Sequence, residues 1–224
     1  SDVATITTAA DATVGVLTAV AETVTINAAA GKKVTIADGS LFDKVTVASS
    51  GAVTLAAGSD ELTTHTLTNS TTGLTIDLTS DAAADLSKVQ FTTLNLKNNL
   101  ASDLTLATGQ TVQVDVALNN TGQFIATTGT ADTITMNISV DQTYVDVLDG
   151  TKDIETLTVN AVLGATDADG VLTFTDIDGK NIILKGSNKV TLTEFAATTL
   201  DASALTGEFT ATQRANAATT VTGS

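Results

Sequence analysis

The chain has 224 residues, 42% hydrophobic but only 3% aromatic, and carries 25 acidic against 10 basic residues for a net charge of -15. That field repels nucleic acid and anionic membrane and attracts divalent cations. With no cysteine, disulfides, zinc thiolates and thiol nucleophiles are excluded. No apolar run is long enough to span a bilayer, and a mean hydropathy of +0.25 argues against acidic disorder.

Thr makes up about a fifth of the chain. It suits a pleated surface because its branched Cβ leaves few χ1 states to lose. A short phrase, apolar–Thr–apolar, returns every ten residues or so, and its alternation places successive side chains on opposite faces of a strand. Up to about Gly58 the phrase reads Thr23-Val24-Thr25-Ile26, Val34-Thr35-Ile36, Val45-Thr46-Val47 and Val53-Thr54-Leu55. Gly-containing corners separate these, among them Ala37-Asp38-Gly39-Ser40 and Ser49-Ser50-Gly51.

Between Asp60 and Asn99 the rhythm loosens. Leu74-Thr75-Ile76-Asp77-Leu78 reads as a strand, and Phe91-Thr92-Thr93-Leu94-Asn95-Leu96 as another. The stretch Ser80-Asp81-Ala82-Ala83-Ala84-Asp85-Leu86 between them reads as one short helical turn or a lateral loop. From Leu100 to Gly150 the spacing is regular again, through Leu104, Val114, Phe124, Ile134 and Val145. The last part, from Thr151, has the longest strands and the densest acidic turns, and no proline debars any strand from central pairing.

Units this alike, aliphatic and nearly ringless predict an all-β parallel β-helix, or β-solenoid, of short Thr/Val-rich strands. Equivalent residues of successive coils then lie about 4.8 Å apart, with Val, Ile and Leu inside and Thr in ladders outside. Two phrases make a coil of about twenty residues. A β-sandwich is the alternative. One elongated repeat domain over residues 1–224 is expected, with a subdomain boundary near 100 or 150 as the other arrangement, and the chain is expected to be a fragment of a longer one.

Two similar turns, Asp167-Ala168-Asp169-Gly170 and Asp176-Ile177-Asp178-Gly179, are the best candidate site. Alternating Asp in a Gly-containing turn can converge hard oxygens on calcium, with Asn181 in reach, although a complete EF-hand loop is absent and Asp-Gly is also a common turn. Asp146, Asp149 and Asp153 form a weaker version. His65 is the single histidine, with no acid–base partner readable nearby, and is read as structural. The Thr-x-Thr phrases suggest a hydroxyl array like that of β-solenoid antifreeze proteins. Their drifting spacing favours Thr as an ordinary outward strand residue. Without tryptophan, and with Tyr144 the one tyrosine, the chain lacks the stacking platforms of a carbohydrate enzyme. No phosphate-cradling loop or serine elbow occurs, so the chain is not expected to be an enzyme.

The run Thr198-Thr199-Leu200-Asp201-Ala202-Ser203-Ala204-Leu205-Thr206-Gly207-Glu208-Phe209-Thr210 is similar to a phrase of bacterial surface-layer proteins and large repeat adhesins. The Thr, Ala, Val and Asp richness, the acidity and the lack of cysteine resemble Gram-negative surface-layer proteins of the type I-secreted, calcium-dependent kind. The resemblance implies a secreted lattice protein at the bacterial cell surface, with calcium as cofactor and copies of itself as partner. Gly-Gly-x-Gly-x-Asp repeats are absent, so that family's calcium ligands carry over to no residue here.

The expected function is therefore structural: a self-assembling surface-layer component with calcium-promoted contacts, and with cell-surface polysaccharide as a further partner. An adhesin or stalk module that binds a cell-surface ligand is the alternative, and a carbohydrate-active β-helix enzyme the third reading.

Overall fold

The computed structural model is a parallel β-solenoid. It describes residues 3–15, 23–37, 44–49, 51–58, 62, 66–69, 73–79, 84–97, 103–116, 124–126, 131–139, 142–144, 154–162, 170–175, 177–178, 180–214 and 219–223.

In chain order the strands begin with β1 (Val3–Thr8), β2 (Ala12–Val14), β3 (Thr23–Ala28), β4 (Lys33–Ile36), β5 (Lys44–Val47), β6 (Val53–Ala57), β7 (Thr66–Asn69) and β8 (Leu74–Leu78). The middle of the chain forms β9 (Ala84–Asp85), β10 (Thr93–Leu96), β11 (Leu104–Leu106), β12 (Thr111–Val114), β13 (Phe124–Ala126), β14 (Thr133–Ile138), β15 (Gln142–Tyr144) and β16 (Thr156–Ala161). The last part forms β17 (Val171–Phe174), β18 (Ile177–Asp178), β19 (Asn181–Gly186), β20 (Lys189–Ala196), β21 (Thr199–Leu205), β22 (Phe209–Gln213) and β23 (Thr220–Thr222).

Apart from β17 and β18, which both lie on the second wall, successive strands fall on alternate walls of the coil. The first wall is one sheet of eleven strands, in the order β2-β4-β6-β8-β10-β12-β14-β16-β19-β21-β23. Among the described residues the second wall comes in three pieces: β1-β3-β5-β7, β9-β11-β13, and β15, β17, β18 and β22 gathered around β20. Strands that neighbour each other in a wall are one full coil apart, so the chain re-enters in the same direction and the pairing is parallel. This rules out the antiparallel sandwich. The stretch after Ser80 also differs from the helical-turn reading: Ala84–Asp85 is a strand that pairs with Leu104–Thr105, and residues 80–83 lie outside the described residues.

Coil length varies while register holds. Thr75 and Thr93, 18 residues apart, are partners, and so are Thr158 and Ile183, 25 apart. The drift in phrase spacing is taken up between strands, where added residues disturb no ladder.

Inside the first wall one column runs Val34, Leu55, Ile76, Leu94, Val112, Met136, Val159, Leu184, all buried. Leu86, Leu104, Leu106, Leu172 and Phe174 are buried within the same core cluster. Each such side chain contributes about 1.5–3 kcal/mol of burial. Like stacks on like because the alternation allows only one parity inside. Phe174 and Phe195, both buried, fill the core of the last coils.

The run 198–210 has a local explanation. In β21, Asp201 Oδ1 accepts the Ser203 backbone N–H at 2.9 Å, and the pairing with β19 shifts register between Ile183 and Lys185. This bulge leaves Ser203 and Ala204 both exposed before Leu205 returns to the core. Gly207 is required because a Cβ there would stand 2.2 Å from the Asn188 carbonyl oxygen.

Candidate functional site

Asp167, Asp169 and Asp176, two candidate ligands from each turn bar one, lie outside the described residues. So do Asp146, Asp149, Asp153 and His65. The Asp178 backbone sits on β18 opposite Ala196 of β20, and its side chain is outside the description. Asn181 is engaged in the ladder between coils: its Oδ1 accepts from Thr199 Oγ1 at 2.7 Å and its Nδ2 donates to Thr156 Oγ1 at 3.3 Å. Among the described residues no group of three or more His, Asp or Glu side chains converges as a metal cluster.

The outward face of the first wall is built of columns. Thr54, Thr75, Thr93, Thr111, Thr135 and Thr158 are register partners in turn. Two residues along each strand runs a second column, Asp77, Asn95, Gln113, Asn137, Asn160. Strand parity puts both columns outside, and the coil repeat brings their polar heads within hydrogen-bonding reach.

Charge gathers at one part of the second column. Asp77, only 4% exposed, accepts from Lys33 Nζ at 2.6 Å and from Asn95 Nδ2 at 2.8 Å. Lys97 Nζ stands 4.0 Å from Asp77 and 3.9 Å from Asp115, so it bridges two coils. Asp115 Oδ1 also accepts from Ser139 Oγ and from Gln113 Nε2, each at 2.6 Å. Further along, Asn160 Nδ2 donates to Asn137 Oδ1 at 2.6 Å. Burial by itself would raise the Asp115 carboxyl, but the Ser139 and Gln113 hydrogen bonds and the Lys97 charge outweigh it and hold it below the usual carboxylate value. Asp85 and Asp201 are lowered more simply, by hydrogen bonds from the side chain and backbone of Ser87 and of Ser203.

A second acidic place lies at a corner before the first wall. Asp132 and Glu155 immediately precede β14 and β16, whose first residues Thr133 and Thr156 are partners. The two residues are 7% and 8% exposed. Glu155 Oε2 accepts the Asp132 backbone N–H at 2.8 Å. Neither residue stood out in the sequence reading, because neither belongs to an Asp-x-Asp-Gly turn. The legible signal was the repeated hexapeptide: Asp132-Thr133-Ile134-Thr135-Met136-Asn137 and Glu155-Thr156-Leu157-Thr158-Val159-Asn160 match position for position in chemistry.

An open cleft of about 610 Å³ lies where the turns before β10 and β12 meet, lined among others by Lys88, Gln90, Phe91 and Thr108. Among the described residues its lining is polar and apolar in turn, with Lys88 as the charged member.

The fold and these faces define a parallel β-solenoid with ordered polar columns. Compared with known proteins, the chain matches no family model, no curated protein and no solved structure.

Proposed function

We propose that this chain is a structural, self-assembling component of a bacterial surface layer, whose contacts between copies are promoted by calcium. The observation that carries the reading is the unbroken eleven-stranded sheet. Ten strand spacings of about 4.8 Å make a stiff wall about 48 Å long, and its outward side repeats the same polar chemistry coil after coil. Such a wall suits repeated, registered contact between bodies better than it suits a single reaction.

A net charge of -15 makes copies repel one another, and divalent cations that bridge carboxylates remove that repulsion. Secretion to the cell surface and the calcium sites at Asp167, Asp169, Asp176 and Asp178 belong to the same proposal. They rest on the resemblance and on the turn chemistry.

The test is light scattering and negative-stain imaging of the purified chain, with calcium chloride and then with excess chelator. Growth into sheets or extended oligomers in calcium, reversed by chelator, is the expected result. A chain that stays monomeric across millimolar calcium overturns the lattice reading.

A further inference from the structure

The corner formed by Asp132 and Glu155 is costly as it stands. Both residues are more than nine-tenths buried, and Asp132 Oδ2 is buried with no hydrogen-bond partner. The Glu155 carboxylate is turned onto the Asp132 coil, since it accepts the Asp132 N–H at 2.8 Å. None of the ion pairs among the described residues includes either acid. Lys180, preceding β19 on the next coil, is exposed and pairs with neither. A buried carboxylate oxygen without a partner, at the same corner as a second buried acid from the next coil, destabilises the fold unless something neutralises it.

Structure alone does not call for acids there. Gln110, at the turn into β12 and 6% exposed, is satisfied at both ends of its amide. Its Oε1 accepts from Ala107 N at 2.8 Å, and its Nε2 donates to the Val89 carbonyl at 3.2 Å. A neutral amide therefore serves a buried corner of this solenoid, whereas the corner between β14 and β16 holds two acceptor-only groups.

We propose that Asp132 and Glu155 form a binding site for a hard divalent cation of the calcium class. The two carboxylates balance the ion's charge, and Asp132 Oδ2 is the oxygen that gains a partner. Water and backbone carbonyl oxygens complete the coordination, and the remaining exposure of both residues provides the path of entry. With only two carboxylates the site belongs with the weak extracellular class, with Kd of about 10⁻⁴–10⁻³ M. The ion joins two coils within one chain, so the site does not depend on assembly between copies.

The test counts bound calcium by equilibrium dialysis and follows thermal melting of the whole chain. Four proteins are compared: wild type, Asp132→Asn, Glu155→Gln, and a chain in which Asp167, Asp169, Asp176 and Asp178 are all replaced by Asn. Each corner variant is expected to bind one calcium fewer than wild type, while the four-turn variant keeps the corner ion. In chelator, Asp132→Asn is expected to melt above wild type, because the amide removes a buried, unneutralised charge. Equal calcium counts in wild type and Asp132→Asn overturn the site. Light scattering on the same samples reads assembly separately, so loss of the lattice and loss of the corner site remain distinguishable.

Discussion

The two walls of the solenoid obey one alternation and yet differ. The first runs as a single sheet of eleven strands, and the second is divided into three among the described residues. Both bury Val, Ile and Leu on the inward parity, so hydrophobic burial does not separate them. Among the described residues the outward side of the first wall carries amide and carboxylate ladders, where Asn95 reaches Asp77, Asn160 reaches Asn137, and Asn181 joins Thr156 to Thr199 across coils. Such cross-strand bonds pin register, because a slip of one residue would turn every polar head into the core. The second wall has a hydroxyl contact of the same kind, Thr46 with Thr68 at 3.3 Å. It also admits a coil as long as that between the partners Thr143 and Thr173, 30 residues apart. Cross-strand ladders of this kind add register to what the core already supplies.

The sharpest way to break the first wall is at Gly186. Its φ is +110°, and a Cβ there would lie 2.1 Å from the Ala161 carbonyl oxygen on the preceding coil. Backbone cannot yield as a flexible side chain would, so Gly186→Ala is expected to destabilise by about 3 kcal/mol or more. Urea unfolding measures this, and a change within 1 kcal/mol would show that the junction between β16 and β19 is looser than the geometry requires.

A smaller effect compares the walls directly. Leu94 on the first and Leu104 on the second are both fully buried, so Leu→Ala loses similar transfer free energy at each. The cavity term depends on how far the surroundings collapse, within an overall cost of about 2–5 kcal/mol. Leu94, whose strand is flanked on the outside by the Asn95–Asp77 bond between coils, is expected to cost more than Leu104. Paired denaturation curves with equal or reversed costs would remove the link between ladder continuity and rigidity.

The smallest effect is electrostatic. The Asp115 pKa is lowered in the folded chain from the ordinary 3.8. Its contribution to stability is therefore fully present above that value and is lost as pH falls through the lower folded pKa. Asp115→Asn is expected to flatten this acid limb slightly and to leave stability near pH 7 reduced by less than about 1 kcal/mol, since its partner Lys97 is well exposed. Melting temperatures from pH 2 to pH 7 check the sign.

Much of this architecture was legible before any coordinate. The apolar–Thr–apolar phrase determined strand positions, the inward parity and the all-β class, because alternation is a local property of an extended chain. The acidity and the absence of cysteine are likewise facts of composition. The run 198–210 stood out in sequence, but only the fold explained its Asp201–Ser203 bulge and the close approach at Gly207.

What only the tertiary structure decided is which phrases stack on which. Coils of 18 and of 25 residues look irregular along the chain but are equivalent in space, since the difference is spent between strands. That choice puts Lys33 on Asp77 across 44 residues and Glu155 on Asp132 across 23. Spacing in sequence could not announce the first pair, and for the second only the repeated hexapeptide hinted at it. The strands carry the repeat, while the variable segments between them determine the distance along the chain from one coil to the next.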